Sequence, residues 1–449
     1  MLIRLLLLLA LIPCQVIAGA NLPNESLIRD AEIEDVLESY TTPLFKAAGL
    51  NPESMHLFII NSKEVNAFAM GGGQIAIHTG LILRANSALQ VIGVLAHETA
   101  HVAGNHILRG IDAYKDALFQ QLLSTIGGLA IGLAGSPEAA TAILLGSQDM
   151  IEKGLLKFSR SQEGAADQGA ARFLDSLGYS SRGLLEFMEI LKKDDFMVEH
   201  NVDPYTMTHP LKAERIDFFK SHLEKSPHAQ ANLSDEFETN FKRIQIKISA
   251  FIEKPEKTLR QFPPSDTTLF GRYARAIAYF QNSQVQEALG EVNSLLKDNP
   301  RDAFFWDLKG QILFDSGKIK EAVNAYNEAV HLRPDIPLLR VSLAHALLES
   351  GDKSLLERAL SELLRAKTEE GDHPFTYRLL AVYYGKTGQT GLAALSLAEM
   401  ALQFGDFKMA EQQAKRSKHL LKGDPINYAR AKDIEQEIKR QKESNPYSI

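Results

Sequence analysis

The sequence predicts a mainly α-helical protein with a small β-sheet and, at its C-terminal end, an array of helical repeats. Apolar residues recur at helical spacing over most of the 449 residues. Short apolar runs typical of strands occur at residues 56–60, 65–69 and 74–79. Beyond residue 263, similar residues recur 34 positions apart. A chain of this length is expected to form two or three domains, each large enough to bury its own core.

The first twenty residues are typical of a secretory signal peptide. Arg4 gives a positive start, Leu5–Ile12 form an apolar run too short to span a membrane, and Ala18–Ala20 are suited to cleavage. Removal of residues 1–20 would also remove Cys14, the single cysteine, so the mature protein is expected to have no disulfide. A lipid anchor on Cys14 is the alternative, which the preceding proline disfavours.

Composition and charge favour a globular protein and argue against a nucleic-acid-binding one. The chain is 45% hydrophobic and 23% charged, which is typical of a globular protein and argues against long disordered segments. Its formal net charge of −7 provides no basic surface of the kind that binds nucleic acid. We therefore expect no nucleic-acid partner.

The run His97-Glu98-Thr99-Ala100-His101 predicts a metal site. Two histidines four residues apart lie on one face of a helix, so both imidazoles can bind one ion. The glutamate between them is placed to take a proton from a water molecule that the metal activates. Apolar residues on both sides of the motif predict a long helix over residues 87–112.

A third ligand is expected on another element, because zinc enzymes commonly use three protein ligands and one water. The metzincin pattern would place a histidine at position 107, which is Ile107. A helix predicted to begin near Ser159 instead offers Glu163 as the ligand and Asp167 as acceptor for the outer ring nitrogen of a ligand histidine. The alternative for Glu163 is a solvated carboxylate favoured by the helix dipole. His106 is expected to pack or support the site, not to bind metal.

Residues 115–146 allow two interpretations. They are rich in alanine, glycine, leucine and isoleucine, and Ile126–Gly135 is apolar throughout. A helical hairpin packed on the site is the simpler prediction. A flap or a segment in peripheral contact with a membrane is the alternative.

The C-terminal part follows the tetratricopeptide pattern of paired helices with small residues where they cross. We predict roughly four repeats, which become irregular toward the end. Before them, residues 225–264 form a helical connector. The residues that carry the pattern are Trp306, Gly310, Ala322, Tyr326, Ala329 and Pro334.

Several segments together resemble the HtpX-like zinc peptidases, in the same order along the chain. The C-terminal repeats and the signal peptide make the architecture similar to that of periplasmic members that act in outer-membrane assembly. Together with these patterns, we predict residues 1–20 as signal peptide, 21–262 as metallopeptidase domain with the helical connector at its end, and 263–449 as repeat domain. The matching segments are Val65–Ala69, Gly72–Gly73, Thr79–Leu81, His97–His101, Ser159–Asp167, Thr208–Pro210 and Glu214–Ile216.

The resemblance implies a gluzincin-type fold with one Zn²⁺ per chain. The ion would be held by His97, His101 and Glu163, with Glu98 as general base. It also implies that His209 can occupy the fourth position in a resting state, whereas the alternative is an ordinary loop histidine before a proline.

For function, we expect a periplasmic zinc endopeptidase that degrades misfolded or stalled envelope proteins. Asn66, Ala67, Phe68 and Ala69 would form an edge strand that pairs with an extended substrate. The repeats would recruit substrates or the outer-membrane assembly machinery. The alternative is a chaperone-like assembly factor or scaffold that acts mainly through its repeats, with the protease site normally shut.

Overall fold

The computed structural model describes residues 12–13, 26–106, 160–197, 204–371 and 373–444. Most of the predicted signal peptide and all of residues 115–146 lie outside the described residues. The chain forms two compact units. We call Ser26–Ile28 with Val36–Gln245 the sheet unit, and Arg29–Asp35 with the residues from Ile246 onward the repeat unit, to which strand β1 also belongs.

The strands and the first helices form the sheet unit, apart from β1, the first turn of α1 and the end of α8. The strands are β1 (Ile12–Pro13), β2 (Ser26–Ile28), β3 (His56–Asn61), β4 (Ala67–Met70) and β5 (Gln74–His78). The helices to the end of this unit are α1 (Ala31–Ala47), α2 (Thr79–Arg84), α3 (Ala88–Ala103), α4 (Arg160–Ser176), α5 (Arg182–Met197), α6 (Pro204–Thr208), α7 (Ala213–Leu223) and α8 (Asp235–Ile252).

Within the sheet unit the strand order is β2-β3-β5-β4. Strands β3 and β5 are parallel, and the β2–β3 and β4–β5 pairs are antiparallel. In the β4–β5 pair, Ala67 lies opposite Ile77 and Ala69 opposite Ile75. Strand β4 is therefore at an edge, and α3 packs next to it.

Helix α3 is the buried centre of the sheet unit, since every residue from Ala88 to His101 is buried. It packs against α4 and α5. The approach of α4 is close, because a Cβ built on Gly169 would lie 2.7 Å from the Cβ of Ala100. The small side chains at this contact bring the first turns of α4 next to the second half of α3.

Two predicted helices end earlier than expected. The motif helix was predicted to reach residue 112, but α3 ends at Ala103, where Gly104 and the left-handed Asn105 (φ 51°) turn the chain. The helical spacing predicted to continue from about residue 159 to Leu191 is interrupted at Gly178 (φ 75°), so that two helices form. The spacing of apolar residues does not reveal backbone turns of this kind, so the predicted helices were too long.

The repeat unit consists of antiparallel helix pairs, as the tetratricopeptide pattern predicts. A Cβ on Gly310 would lie 2.6 Å from the ring of Tyr326, so the close crossing of the two helices requires a residue without a side chain there. The helices are α9 (Pro255–Gln261), α10 (Leu269–Gln281), α11 (Val285–Asp298), α12 (Ala303–Asp315), α13 (Ile319–Leu332), α14 (Pro337–Glu349), α15 (Leu356–Glu370), α16 (Pro374–Lys386), α17 (Thr390–Gln403), α18 (Phe407–Leu420) and α19 (Pro425–Ser444).

The end of α8 packs in the repeat unit. Ile246 and Ala250 at the end of α8 belong to the same buried apolar cluster as Tyr273 and Ala274 of α10. The compact units divide at residue 245, and the boundary after residue 262 between metallopeptidase and repeat domains stays a prediction. Among the described residues, no helix is both long enough and apolar enough to cross a membrane.

Candidate metal centre

Four buried side chains in the sheet unit converge on one point. His97 and His101 come from the second half of α3, Glu163 from the first turn of α4, and His209 directly follows α6. Each is at most 3% exposed. One ligand atom from each of the four lies within 4.8 Å of the others. The structure thus brings together all the residues that the sequence suggested as metal ligands, including the fourth.

The distances between these atoms suit a tetrahedral metal ion. Metal bonds of about 2.0–2.1 Å place tetrahedral ligand atoms about 3.4 Å apart. His97 Nε2 lies 3.0 Å from His101 Nε2, 3.4 Å from His209 Nδ1 and 3.5 Å from Glu163 Oε2. Glu163 Oε1 lies 3.3 Å from His101 Nε2 and 3.0 Å from His209 Nδ1. The four side chains can therefore hold one ion after small movements of their ligand atoms.

The outer nitrogens of both α3 histidines also have partners. His97 Nδ1 lies 3.0 Å from Asp167 Oδ1, and His101 Nδ1 lies 3.1 Å from His106 Nδ1. A hydrogen bond from Nδ1–H leaves the lone pair of Nε2 directed into the cluster, which is the form that binds a metal.

Arg215 on α7 contacts both carboxylates of α4. Its Nε and Nη2 lie 2.7 and 2.8 Å from the two oxygens of Asp167, and its Nη1 lies 2.7 Å from Glu163 Oε2. Arg215 is itself buried. The sequence left the role of this residue open, because its partner Asp167 is 48 residues away and no local pattern connects them.

The electrostatics of the cluster favour a cation. Burial acts to lower the pKa of His97, but hydrogen bonds to Asp167 and Glu163 outweigh it and raise this pKa to about 9. Burial lowers the pKa of His101 to about 2, so this ring is neutral. Although burial alone would raise the pKa of Glu163, its three histidine neighbours lower it. The side chains therefore stabilise a positive charge at the point where their donor atoms meet, as a metal ligand set does.

Glu98 lies beside this point but uses its oxygens differently. Its Oε2 accepts a hydrogen bond of 2.9 Å from the backbone N–H of Ala69, and its Oε1 is 3.5 Å from His209 Nε2. Burial raises the pKa of Glu98, partly countered by His209 and His97. The ring of Tyr205 stacks on His209, with centroids 4.7 Å apart.

The predicted substrate strand is the edge strand β4 with the residue before it. Asn66, Ala67 and Ala69 are buried, and Phe68 is half-buried. Since the N–H of Ala69 bonds to Glu98, it points away from β5 and toward the motif helix. Ala67, two residues earlier, shares this backbone direction, because alternate residues of a strand direct their N–H groups to the same side.

Comparison with known proteins assigns the fold around this site. The sequence profile described as Peptidase family M48 matches residues 28–222, which include every residue of the cluster. Residues 28–222 are therefore similar to peptidase family M48. A second profile, described as TPR repeat, matches residues 310–351. These matches confirm the predicted architecture of a metallopeptidase domain followed by tetratricopeptide repeats, and the chain is a metalloendopeptidase whose buried histidine and glutamate cluster fits a metal ion.

Individual relatives agree with this assignment. The peptidase is 26% identical over 334 residues to the Beta-barrel assembly-enhancing protease of Escherichia coli (strain K12), covering 72% of this chain and 67% of the relative. It is 28% identical over 174 residues to Metalloprotease LoiP of the same strain, covering 39% of this chain and 65% of the relative. Among solved structures, the TPR protein YrrB aligns over 51% of this chain and 99% of its own, at 15% identity and a TM-score of 0.29.

Proposed function

We propose that the peptidase is a zinc endopeptidase in which His97, His101 and Glu163 hold the ion. The observation that carries the proposal is that these residues bring one ligand atom each within 4.8 Å of one another. The two histidine Nε2 atoms lie 3.0 Å apart, and each lies 3.3–3.5 Å from an oxygen of Glu163, which suits a zinc ion. Imidazole and carboxylate donors suit zinc better than the hard cations Mg²⁺ and Ca²⁺, which prefer oxygen ligands. Asp167 supports the site by holding the His97 ring.

In this proposal Glu98 is the general base. A bound zinc ion supplies Lewis acidity that activates a water molecule for attack on a peptide carbonyl. Glu98 takes the proton of the attacking water and passes it to the leaving amine. Its raised pKa suits both transfers, and the Ala69 N–H holds the carboxylate in one orientation. Strand β4 would pair with an extended substrate backbone through edge groups such as the Ala67 N–H, because the Ala69 N–H is held by Glu98. This mode favours unfolded proteins over folded ones.

We propose that His209 closes the site in a resting state. Its Nδ1 lies 3.4 Å from His97 Nε2 and 3.0 Å from Glu163 Oε1, where a fourth ligand is expected. A water molecule and a substrate carbonyl need this position, so the segment after α6 has to move before cleavage. The stacked Tyr205 lies one helical turn before His209 and would move with it.

For the biological role, we propose a periplasmic protease in the quality control of outer-membrane proteins. The relatives named Beta-barrel assembly-enhancing protease support this role. The substrates would be misfolded or stalled envelope proteins, and the repeats would bind substrates or the outer-membrane assembly machinery. The predicted signal peptide would direct the chain to the periplasm, with peripheral contact to the membrane as a further prediction.

A chaperone-like assembly factor is the second candidate. The position of His209 within the cluster favours it, because a site closed in this way cleaves little until it opens. In that case the repeats would perform the main task by binding partners. The intact Glu98 favours the protease, since a scaffold has no use for a base beside a metal.

The replacement Glu98→Gln tests the enzymatic proposal. Gln keeps the size of the side chain and removes the base, so we expect one zinc per chain, an unchanged circular dichroism spectrum and loss of β-casein cleavage. β-Casein is suitable because it is an unfolded protein. Cleavage at the wild-type rate by this variant would refute Glu98 as general base.

A further inference from the structure

The turn after the motif helix places an imidazole against one of the α3 histidines. Helix α3 ends at Ala103, and Asn105 takes the left-handed conformation with φ 51°. The chain thereby folds back so that His106 Nδ1 lies 3.1 Å from His101 Nδ1, with the two rings edge to face at 82°. His106 is 5% exposed, although it follows the turn.

The sequence of the turn suits this placement. A Cβ built on Gly104 would lie 2.3 Å from His106 Nε2 and within 2.8 Å of two further ring atoms, so any larger residue would displace the ring. Asparagine is among the few residues that tolerate the left-handed region at position 105. The carbonyl of His106 accepts a hydrogen bond of 3.0 Å from Gln162 Nε2, which ties the turn to α4 next to Glu163.

The two α3 histidines therefore have different supports. The Nδ1 atom of His97 contacts the carboxylate of Asp167, whereas the Nδ1 atom of His101 contacts the imidazole of His106. A histidine that binds a metal through Nε2 carries its proton on Nδ1, and this N–H is normally donated to a carboxylate, a carbonyl or water. At 3.1 Å, two Nδ1 atoms form a hydrogen bond when one donates and the other accepts.

We propose that His106 is a positioning residue that accepts the Nδ1–H of His101 and so fixes the ring in the orientation and tautomer that bind the metal. The inference rests on the proposed metal site. A neutral acceptor provides this support without adding another negative charge to the carboxylates already at the site. In this proposal, the Gly104–His106 turn holds the His106 ring where it can accept this hydrogen bond.

Zinc affinity, measured on the full chain by competition with a coloured chelator, tests the proposal. His106→Phe keeps a flat ring of similar size but cannot accept, so the zinc dissociation constant should rise about 10- to 100-fold. His106→Gln keeps an acceptor and should stay within about threefold of wild type. Asn105→Gly, which retains the left-handed turn, is the matched control and should also bind zinc like wild type.

Gly104→Ala tests the same contact without changing His106. It should displace the ring and weaken zinc binding in the same direction as His106→Phe. Nitrogen NMR of the zinc-loaded protein should show His101 protonated at Nδ1 in wild type, and this signal should be lost to solvent exchange in His106→Phe. Wild-type zinc affinity in His106→Phe or Gly104→Ala would overturn the inference. Failure of the proposed function would differ, because the wild type would then bind zinc without cleaving β-casein.

Discussion

Arg215 binds Asp167 through two parallel contacts, Nε to Oδ2 at 2.7 Å and Nη2 to Oδ1 at 2.8 Å. The same guanidinium reaches Glu163 at 2.7 Å. Since Asp167 in turn contacts His97, one buried cation on α7 orients side chains on two other helices, α4 and α3. The planar fork of arginine suits this task, whereas lysine offers only a point charge.

We expect Arg215→Met to destabilise the protein strongly, because it leaves two buried carboxylates without their counter-charge. Loss of one partner of a buried pair typically costs about 3–5 kcal/mol. Arg215→Lys should fall between this variant and wild type. The free energy of unfolding in urea, measured on the metal-free protein, checks this prediction.

The control for Arg215 is Arg160→Met, which breaks the Arg160–Glu214 pair of 3.1 Å. Both of these side chains are more than half exposed, so the loss should be below about 1 kcal/mol. Equal losses in the two variants would show that the Arg215 contacts do not stabilise the site.

We expect His209→Ala to raise basal cleavage of β-casein, together with self-cleavage. The replacement removes the imidazole from the fourth position of the cluster and leaves that position to water. Initial rates at equal zinc occupancy provide the measurement. A folded His209→Ala protein with lower activity than wild type would instead assign His209 to catalysis and not to closure.

Metal removal should lower the melting temperature. A ligand that binds only the folded state stabilises it by about 2.7 kcal/mol at a concentration 100 times its dissociation constant. We therefore expect a higher melting temperature with zinc than after treatment with a chelator. Glu163→Gln should lose most of this difference, while Glu98→Gln should retain it. Retention of the full difference in Glu163→Gln would contradict its role as a ligand.

Stability should also depend on pH through Asp307 in the repeat unit. Burial raises the pKa of this carboxyl to about 7, with help from Asp30 and Glu32 and against the opposing effect of Lys247. In the same cluster the Lys247 ammonium lies 2.7 Å from Asp30 and 3.2 Å from Glu32. The nearby Tyr326 also has a raised pKa, through burial and then the charge of Asp307.

The direction in which stability changes with pH follows from the proton that Asp307 binds. Between about pH 4, the usual pKa of an aspartate, and pH 7, Asp307 binds a proton in the folded state but not in the unfolded state. Its contribution to stability is therefore lost as the pH rises through this window. Asp307→Asn should stabilise the protein at pH 8, on the order of 1–3 kcal/mol, and flatten the pH dependence of its melting temperature. Asp433→Asn, at an exposed position, serves as control. The prediction would be contradicted if the Asp307→Asn protein melted like wild type at both pH 5 and pH 8.

Local patterns in the sequence account for much of this protein. The four-residue spacing of His97 and His101 depends only on helix geometry, and so does that of Glu163 and Asp167. The 34-residue period likewise predicts the repeats, because small residues recur at that period where paired helices cross. The roles of these site residues stay predictions, whereas the metallopeptidase and repeat architecture is confirmed.

Contacts between distant residues required the tertiary structure. Arg215 lies 48 residues from Asp167, and the segment Arg29–Asp35 joins a unit formed mainly by residues after 245. The end of α3 at Ala103 depends on a left-handed residue, which hydrophobic spacing does not reveal. By itself, the sequence determined which side chains share a helix face, since periodicity is local. Only the tertiary structure decided which faces meet, because that depends on the packing of the whole chain.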